Sequence, residues 1–154
     1  MRKTKSLLVV ISSLIMILIQ PISIFAQEGS IQIQQEYLDD GSYYEIIIES
    51  SENQRSSIKN ASKTAIYKNA NGESLWYAKV TANFYYDGTT SSCTSASASG
   101  GSYVSTWKIL STSSSRTGNV GSATVKAGAY LNGAYVGSIT EKVLIACDKN
   151  GNIS

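Results

Sequence analysis

Six carboxylates crowd one short stretch of this sequence, and two carboxylates at a suitable separation are the machinery of glycoside hydrolysis. They are Glu36, Asp39, Asp40, Glu45, Glu49 and Glu52. These side chains lie on a turn and on the two segments that flank it, rather than on elements that would surround a cleft. We therefore interpret them as a solvated acidic hairpin, and we keep a carboxylate-based hydrolase as the less favoured alternative.

Other catalytic systems lack their residues. The 154 residues contain no histidine, which excludes Ser-His-Asp and Cys-His nucleophiles and the common zinc sites. Asp148, Asn150 and Asn152 have the alternating oxygen side chains of a calcium loop, but Gly151 stands at the wrong position for one, so we interpret them as a turn. The sequence thus predicts a protein that is not an enzyme, with no catalytic residue, no metal site and no cofactor.

The two cysteines, Cys93 and Cys147, form an even pair, which in an exported protein predicts a disulfide. Closing a loop of about 55 residues would stabilise the fold by roughly 4 kcal/mol in the chain-entropy model. The alternative is a pair of buried thiols.

The tyrosines are the best candidates for a binding surface, since the chain has ten of them. In the alternating segment 75–86, Tyr77 and Tyr85 lie on the face opposite Trp76 and Phe84. Tyrosines on a sheet face stack on sugar rings or anchor a protein partner, so we predict Tyr77 and Tyr85 as ligand-binding residues. The alternative is ordinary cross-strand packing.

The residues named above lie on or next to short segments in which apolar and polar residues alternate. We predict strands at 31–37, 43–49, 64–68, 75–86, 92–98, 103–110, 123–131 and 135–147, a polar linker at 50–62 and a serine-rich connection at 111–115. Asn132-Gly133 predicts a tight hairpin turn. The fold class is all-β, a β-sandwich for which an immunoglobulin-like arrangement is one form. The domains are an N-terminal hairpin plus linker at 27–62 and the sandwich at 63–154.

The first 26 residues have the order of a signal peptide: Arg2, Lys3 and Lys5, an apolar stretch at 7–19, and small Ala26, after which we predict cleavage. The apolar stretch is too short for a stable membrane span, although an uncleaved anchor remains the alternative. The full chain has 13 basic and 11 acidic residues, and cleavage would leave 10 basic and 11 acidic residues. A secreted chain with nearly equal numbers of acidic and basic residues, and without basic clusters, is not expected to bind nucleic acid or anionic lipid.

Several segments together resemble one family. They are 36–43, 67–72, Leu75-Trp76, 84–88, Cys93, 107–109, and Cys147 before Asn150-Gly151. With these residues the chain resembles a family of small, uncharacterised exported proteins from Gram-positive, clostridia-like bacteria. The resemblance implies a secreted β domain with two matched cysteines and transfers no activity. We expect a secreted, non-catalytic binding module for an extracellular glycan or protein, with a secreted antimicrobial or competition protein as the alternative.

Overall fold

A computed structural model describes residues 24–26, 29–52 and 57–154. These residues form nine β-strands and no helix: β1 (Ile24–Ala26), β2 (Gly29–Tyr37), β3 (Tyr43–Glu52), β4 (Ile58–Lys68), β5 (Ser74–Tyr86), β6 (Ser91–Ser102), β7 (Trp107–Thr117), β8 (Val120–Leu131) and β9 (Ala134–Ala146). A search of the same ranges for a helix that would cross a membrane finds none. The predicted leader lies outside the described residues except for β1, so the structure does not test it.

The strands form two antiparallel sheets, one with the order β1-β2-β3-β4-β5-β6 and one with the order β7-β8-β9. They pack against each other, which confirms the predicted all-β sandwich. Within each sheet every strand pairs with its neighbour in sequence. The immunoglobulin fold needs Greek-key connections, so this meander does not have that form.

The core lies between the sheets because each central strand has one apolar face. On β5 the alternation places Trp76, Val80 and Phe84 fully inside. The second sheet contributes Val125 from β8 and Ile145 from β9, both also fully buried. The residues of β5 between these positions point outward, to the opposite face of the large sheet.

Two segments predicted as loops are strands. Residues 50–52 continue β3 and residues 58–62 begin β4, so most of the predicted linker pairs within the sheet. The serine-rich connection 111–115 belongs to β7 and pairs with β8. Polar composition misled in both places because strand hydrogen bonds join backbone groups and require no apolar side chain. Ser62 therefore pairs within the sheet while buried, and residues 111–115 pair while exposed.

The predicted disulfide is wrong: Cys93 and Cys147 are free, buried thiols. The Sγ of Cys93 donates to the carbonyl of Ser95 at 3.2 Å, and that of Cys147 donates to the carbonyl of Asp148 at 3.4 Å. Each thiol thus finds a partner in its own strand or turn. Burial raises the pKa of both thiols, which keeps them protonated.

The turn predictions hold. Asn132 and Gly133 have φ angles of 49° and 81°, as a two-residue type I′ hairpin requires. The carboxylate of Asp148 accepts hydrogen bonds from the backbone of Asn150 at 2.8 Å and of Asn152 at 2.9 Å, which makes this segment a turn.

Candidate functional site

The two predicted tyrosines lie on the same strand and the same face but do not share a site. Tyr85 is eight residues beyond Tyr77 along β5, which at about 3.4 Å per residue is roughly 27 Å. Tyr85 is exposed and lies opposite Ile58 and Ser92 on the neighbouring strands. Tyr77 lies at the other end of the sheet, and only there do further tyrosines join it.

Four tyrosines form what we call the tyrosine band, across the outer face of the six-stranded sheet. Tyr37 of β2 and Tyr43 of β3 are opposite each other, with ring centroids 5.1 Å apart. Tyr77 of β5 and Tyr103, just beyond β6, have ring centroids 5.7 Å apart. The two pairs lie in adjacent rows of the sheet, since Tyr43 is opposite Lys68 and Tyr77 is opposite Ile66.

Gly101 makes room for the ring of Tyr77. It lies opposite Tyr77 on β6, and a Cβ atom there would be 2.6 Å from Cε1 of that ring. The missing side chain therefore lets the ring lie across the neighbouring strand towards Tyr103. Tyr103 was predicted as part of a strand beside Trp107, but residues 103–106 instead lead from β6 to β7, and nothing local in the sequence indicates its contact with Tyr77.

Charges around the tyrosine band are paired. The Lys68 ammonium is 3.1 Å from the Glu45 carboxylate and 6.0 Å from the centroid of the Tyr43 ring. Further along the face, the Lys79 ammonium is 3.6 Å from the Glu49 carboxylate. Two lysines thus balance two of the six carboxylates in the predicted acidic cluster, and this part of the face has no net charge.

A shallow groove of about 300 Å³ lies on the same face, further from the tyrosine band. Its lining includes Ile31 of β2, Glu49 of β3, Ser62 of β4 and Thr81 of β5. The Ser62 hydroxyl donates to the Glu49 carboxylate at 3.1 Å. The outer face therefore offers stacking surfaces at one end and, further along, a mostly apolar groove in which Ser62 donates to Glu49.

Other described carboxylates lie away from this outer face. Asp40 accepts hydrogen bonds from the backbone and hydroxyl of Ser42 in the β2–β3 turn, and these bonds lower the pKa of Asp40. Glu141 of β9, which the sequence alone did not single out, faces the other sheet and accepts a hydrogen bond from the Tyr44 hydroxyl. Burial, and to a lesser degree Glu36, raises the pKa of Glu141, while the bond from Tyr44 lowers it. Burial and Glu141 also raise the pKa of Tyr44.

Within the described part of the chain, no three potential ligands among cysteine, aspartate and glutamate come together as a metal site would require. The described side chains of the outer face offer ring stacking, hydrogen bonding and paired charge. Comparison of the chain with models of protein families, with curated proteins and with solved structures finds no match to any of them.

Proposed function

We propose that this chain is a secreted, non-catalytic binding module whose ligand is an uncharged extracellular glycan, held across the tyrosine band. The observation that carries the proposal is the band itself. Tyr37 is 65% exposed and Tyr103 is 54% exposed, so large ring surfaces remain in water on a face built from five strands. Aromatic rings presented in this way stack on sugar rings while their hydroxyls hydrogen-bond.

The dimensions of the band suit an extended ligand. It crosses from β2 to β6, four spacings between neighbouring strands, which at about 4.8 Å each is roughly 19 Å. Several consecutive sugar rings have this length.

The charge balance selects the class of glycan. Lys68 and Lys79 are neutralised by Glu45 and Glu49, so a negatively charged polymer gains little attraction and would have to break ion pairs to bind. A neutral polysaccharide binds without that cost. This balance favours a neutral glycan over an acidic one.

Export is part of the same proposal. The N-terminal segment has the signal-peptide order, and the chain resembles small exported proteins of Gram-positive bacteria. Cleavage after Ala26 would remove β1, which pairs with only three residues at one edge of the large sheet. Every residue of the core cluster lies beyond that point, so the sandwich would keep its core. An intact mass that begins at Gln27, measured on protein from culture supernatant, is the expected result, and a cell-bound full-length species would contradict export.

Ligand binding is tested on the chain from Gln27 onward by retention on a panel of neutral and acidic polysaccharide resins. We expect retention on a neutral polysaccharide, reduced about ten-fold or more by Tyr77→Ala, because a truncated central aromatic anchor typically costs 2 kcal/mol or so. Tyr85→Ala is the matched control, being an exposed tyrosine on the same strand and face about 27 Å away. Equal effects of the two substitutions, or no retention on any neutral resin, would refute the assignment to the band.

A further inference from the structure

The outer face of the three-stranded sheet presents three lysines that are far apart in sequence. Lys108 lies on β7, Lys126 on β8 and Lys142 on β9, and all three are exposed. Lys108 is opposite Gly128, and Lys142 is opposite Thr124. Lys126 is two residues from each of those positions, so the three lysines form a diagonal line, with neighbours about 7–8 Å apart.

Among the described residues, the strands β7, β8 and β9 place no carboxylate on this face. The three strands contain one acidic residue, Glu141, which points inward and binds Tyr44. No ion pair found among the described residues involves the three lysines, whereas Lys68 and Lys79 on the other sheet are both paired. The lysine diagonal, meaning Lys108, Lys126 and Lys142, is therefore a concentration of uncompensated positive charge.

An apolar hairpin tip adjoins the lysine diagonal. At the β8–β9 turn, Leu131 is 63% exposed and Val136 is 62% exposed, among the highest values for large apolar side chains in the described chain. Tyr130 and Tyr135 have ring centroids 5.7 Å apart, and the Lys108 ammonium lies 4.8 Å from the Tyr130 centroid. Surfaces that enter the membrane interface typically have exposed aliphatic side chains at the tip, tyrosines next to them and lysines further back.

From this arrangement we infer that the outer face of the three-stranded sheet docks on an anionic lipid bilayer, with the β8–β9 tip inserted at headgroup level and the lysine diagonal on the lipid phosphates. Charge complementarity identifies the partner as anionic. The tip selects a bilayer over a soluble polyanion, because a soluble polyanion would leave Leu131 and Val136 in water. The inference is independent of the glycan proposal, which concerns the other sheet.

Vesicle co-sedimentation tests this inference with the chain from Gln27 onward. The vesicles contain phosphatidylcholine alone or phosphatidylcholine with 30% phosphatidylglycerol, at low and at high salt. We expect binding only to the phosphatidylglycerol vesicles and a sharp loss at high salt, since the Debye length shortens. Lys126→Gln should weaken binding about five-fold, the usual contribution of one basic residue near an anionic surface. Lys149→Gln is the matched control, because it changes the net charge equally in the C-terminal turn, and Lys126→Arg should retain binding.

The apolar tip is tested with Leu131→Ser/Val136→Ser, which should weaken vesicle binding about ten-fold or more. Ile33→Ser, which removes an exposed apolar side chain from the other sheet, is its control and should have no effect. Circular dichroism confirms that each variant retains its strands. Absence of binding to phosphatidylglycerol vesicles would overturn the inference, and so would equal losses from Lys126→Gln and Lys149→Gln. The inference would also be overturned if Leu131→Ser/Val136→Ser bound the vesicles as tightly as wild type and the wild-type chain bound soluble polyphosphate as tightly as vesicles. A soluble polyanion would then be the partner.

Discussion

Gly100 of β6 lies close to Val125 of the other sheet, and replacing it with alanine should destabilise the fold by an amount that the contacts allow to be worked out. A Cβ atom at this position would lie 2.7 Å from Cγ1 of Val125 on β8 and 3.2 Å from the backbone oxygen of Tyr77. Val125 is fully buried, and its β-branched side chain has little rotamer freedom to move away. The added methyl group must therefore push the sheets apart or force Val125 off its rotamer.

Overpacking of this kind costs about 1–3 kcal/mol of unfolding free energy. Val125→Ala removes two buried carbons, which at about 0.8 kcal/mol each plus a cavity term should cost about 2–3 kcal/mol. In the double variant, Gly100→Ala with Val125→Ala, the methyl group added on β6 occupies the space that the valine side chain vacates. The destabilisation of the double variant should therefore be smaller than the sum of the two single destabilisations, by at least about 1 kcal/mol of unfolding free energy.

Urea unfolding of the four proteins in this cycle measures the coupling, with unchanged m values as the condition for comparing midpoints. Gly137→Ala is the matched control: Gly137 lies on β9, and a Cβ atom there would have no neighbour within 4 Å. It should be neutral or stabilising by at most about 1 kcal/mol, and it should be additive with Val125→Ala. Costs at Gly100 and Val125 that add to within about 0.5 kcal/mol would show that the sheets are not in contact there.

Tyr77, Glu141 and the two buried thiols can each be probed by a separate experiment. Gly101→Ala should displace the ring of Tyr77 and weaken glycan retention while leaving the urea midpoint nearly unchanged, and loss of stability without loss of retention would contradict this. The raised pKa of Glu141 means that the folded state binds its proton more tightly than the unfolded chain, so the stability from this group should rise as pH falls from neutrality towards the ordinary glutamate range. Glu141→Gln, which still accepts the bond from Tyr44, should be more stable than wild type at pH 7, with the difference shrinking in acid, and thermal melts at several pH values will measure it. The two buried thiols should react with a disulfide reagent slowly in buffer and rapidly in urea, whereas zero titratable thiol in urea would indicate a disulfide.

Much of the fold could be predicted from the sequence because strand alternation is a local signal. The period of two in β5 and the Asn-Gly turn before β9 identified those elements, since burial on one face and positive φ angles act on adjacent residues. Residues 50–62 and 111–115 were predicted as linker and connection because these stretches contain few apolar residues, although β3 and β4 carry apolar residues elsewhere along their length. The tyrosine band was found only in part. Tyr77 was predicted, but its pairing with Tyr103 depends on the route of the chain after β6.

The sequence by itself determined an all-β fold without histidine chemistry, because residue types and their alternation are properties of neighbouring positions. Only the tertiary structure decided which distant residues meet. It joined Tyr77 to Tyr103, left Cys93 and Cys147 as thiols, and aligned three lysines from three strands although the chain has no basic run there. The physical reason is that strand register and sheet packing bring together residues far apart in the chain, and no local pattern encodes which ones they are.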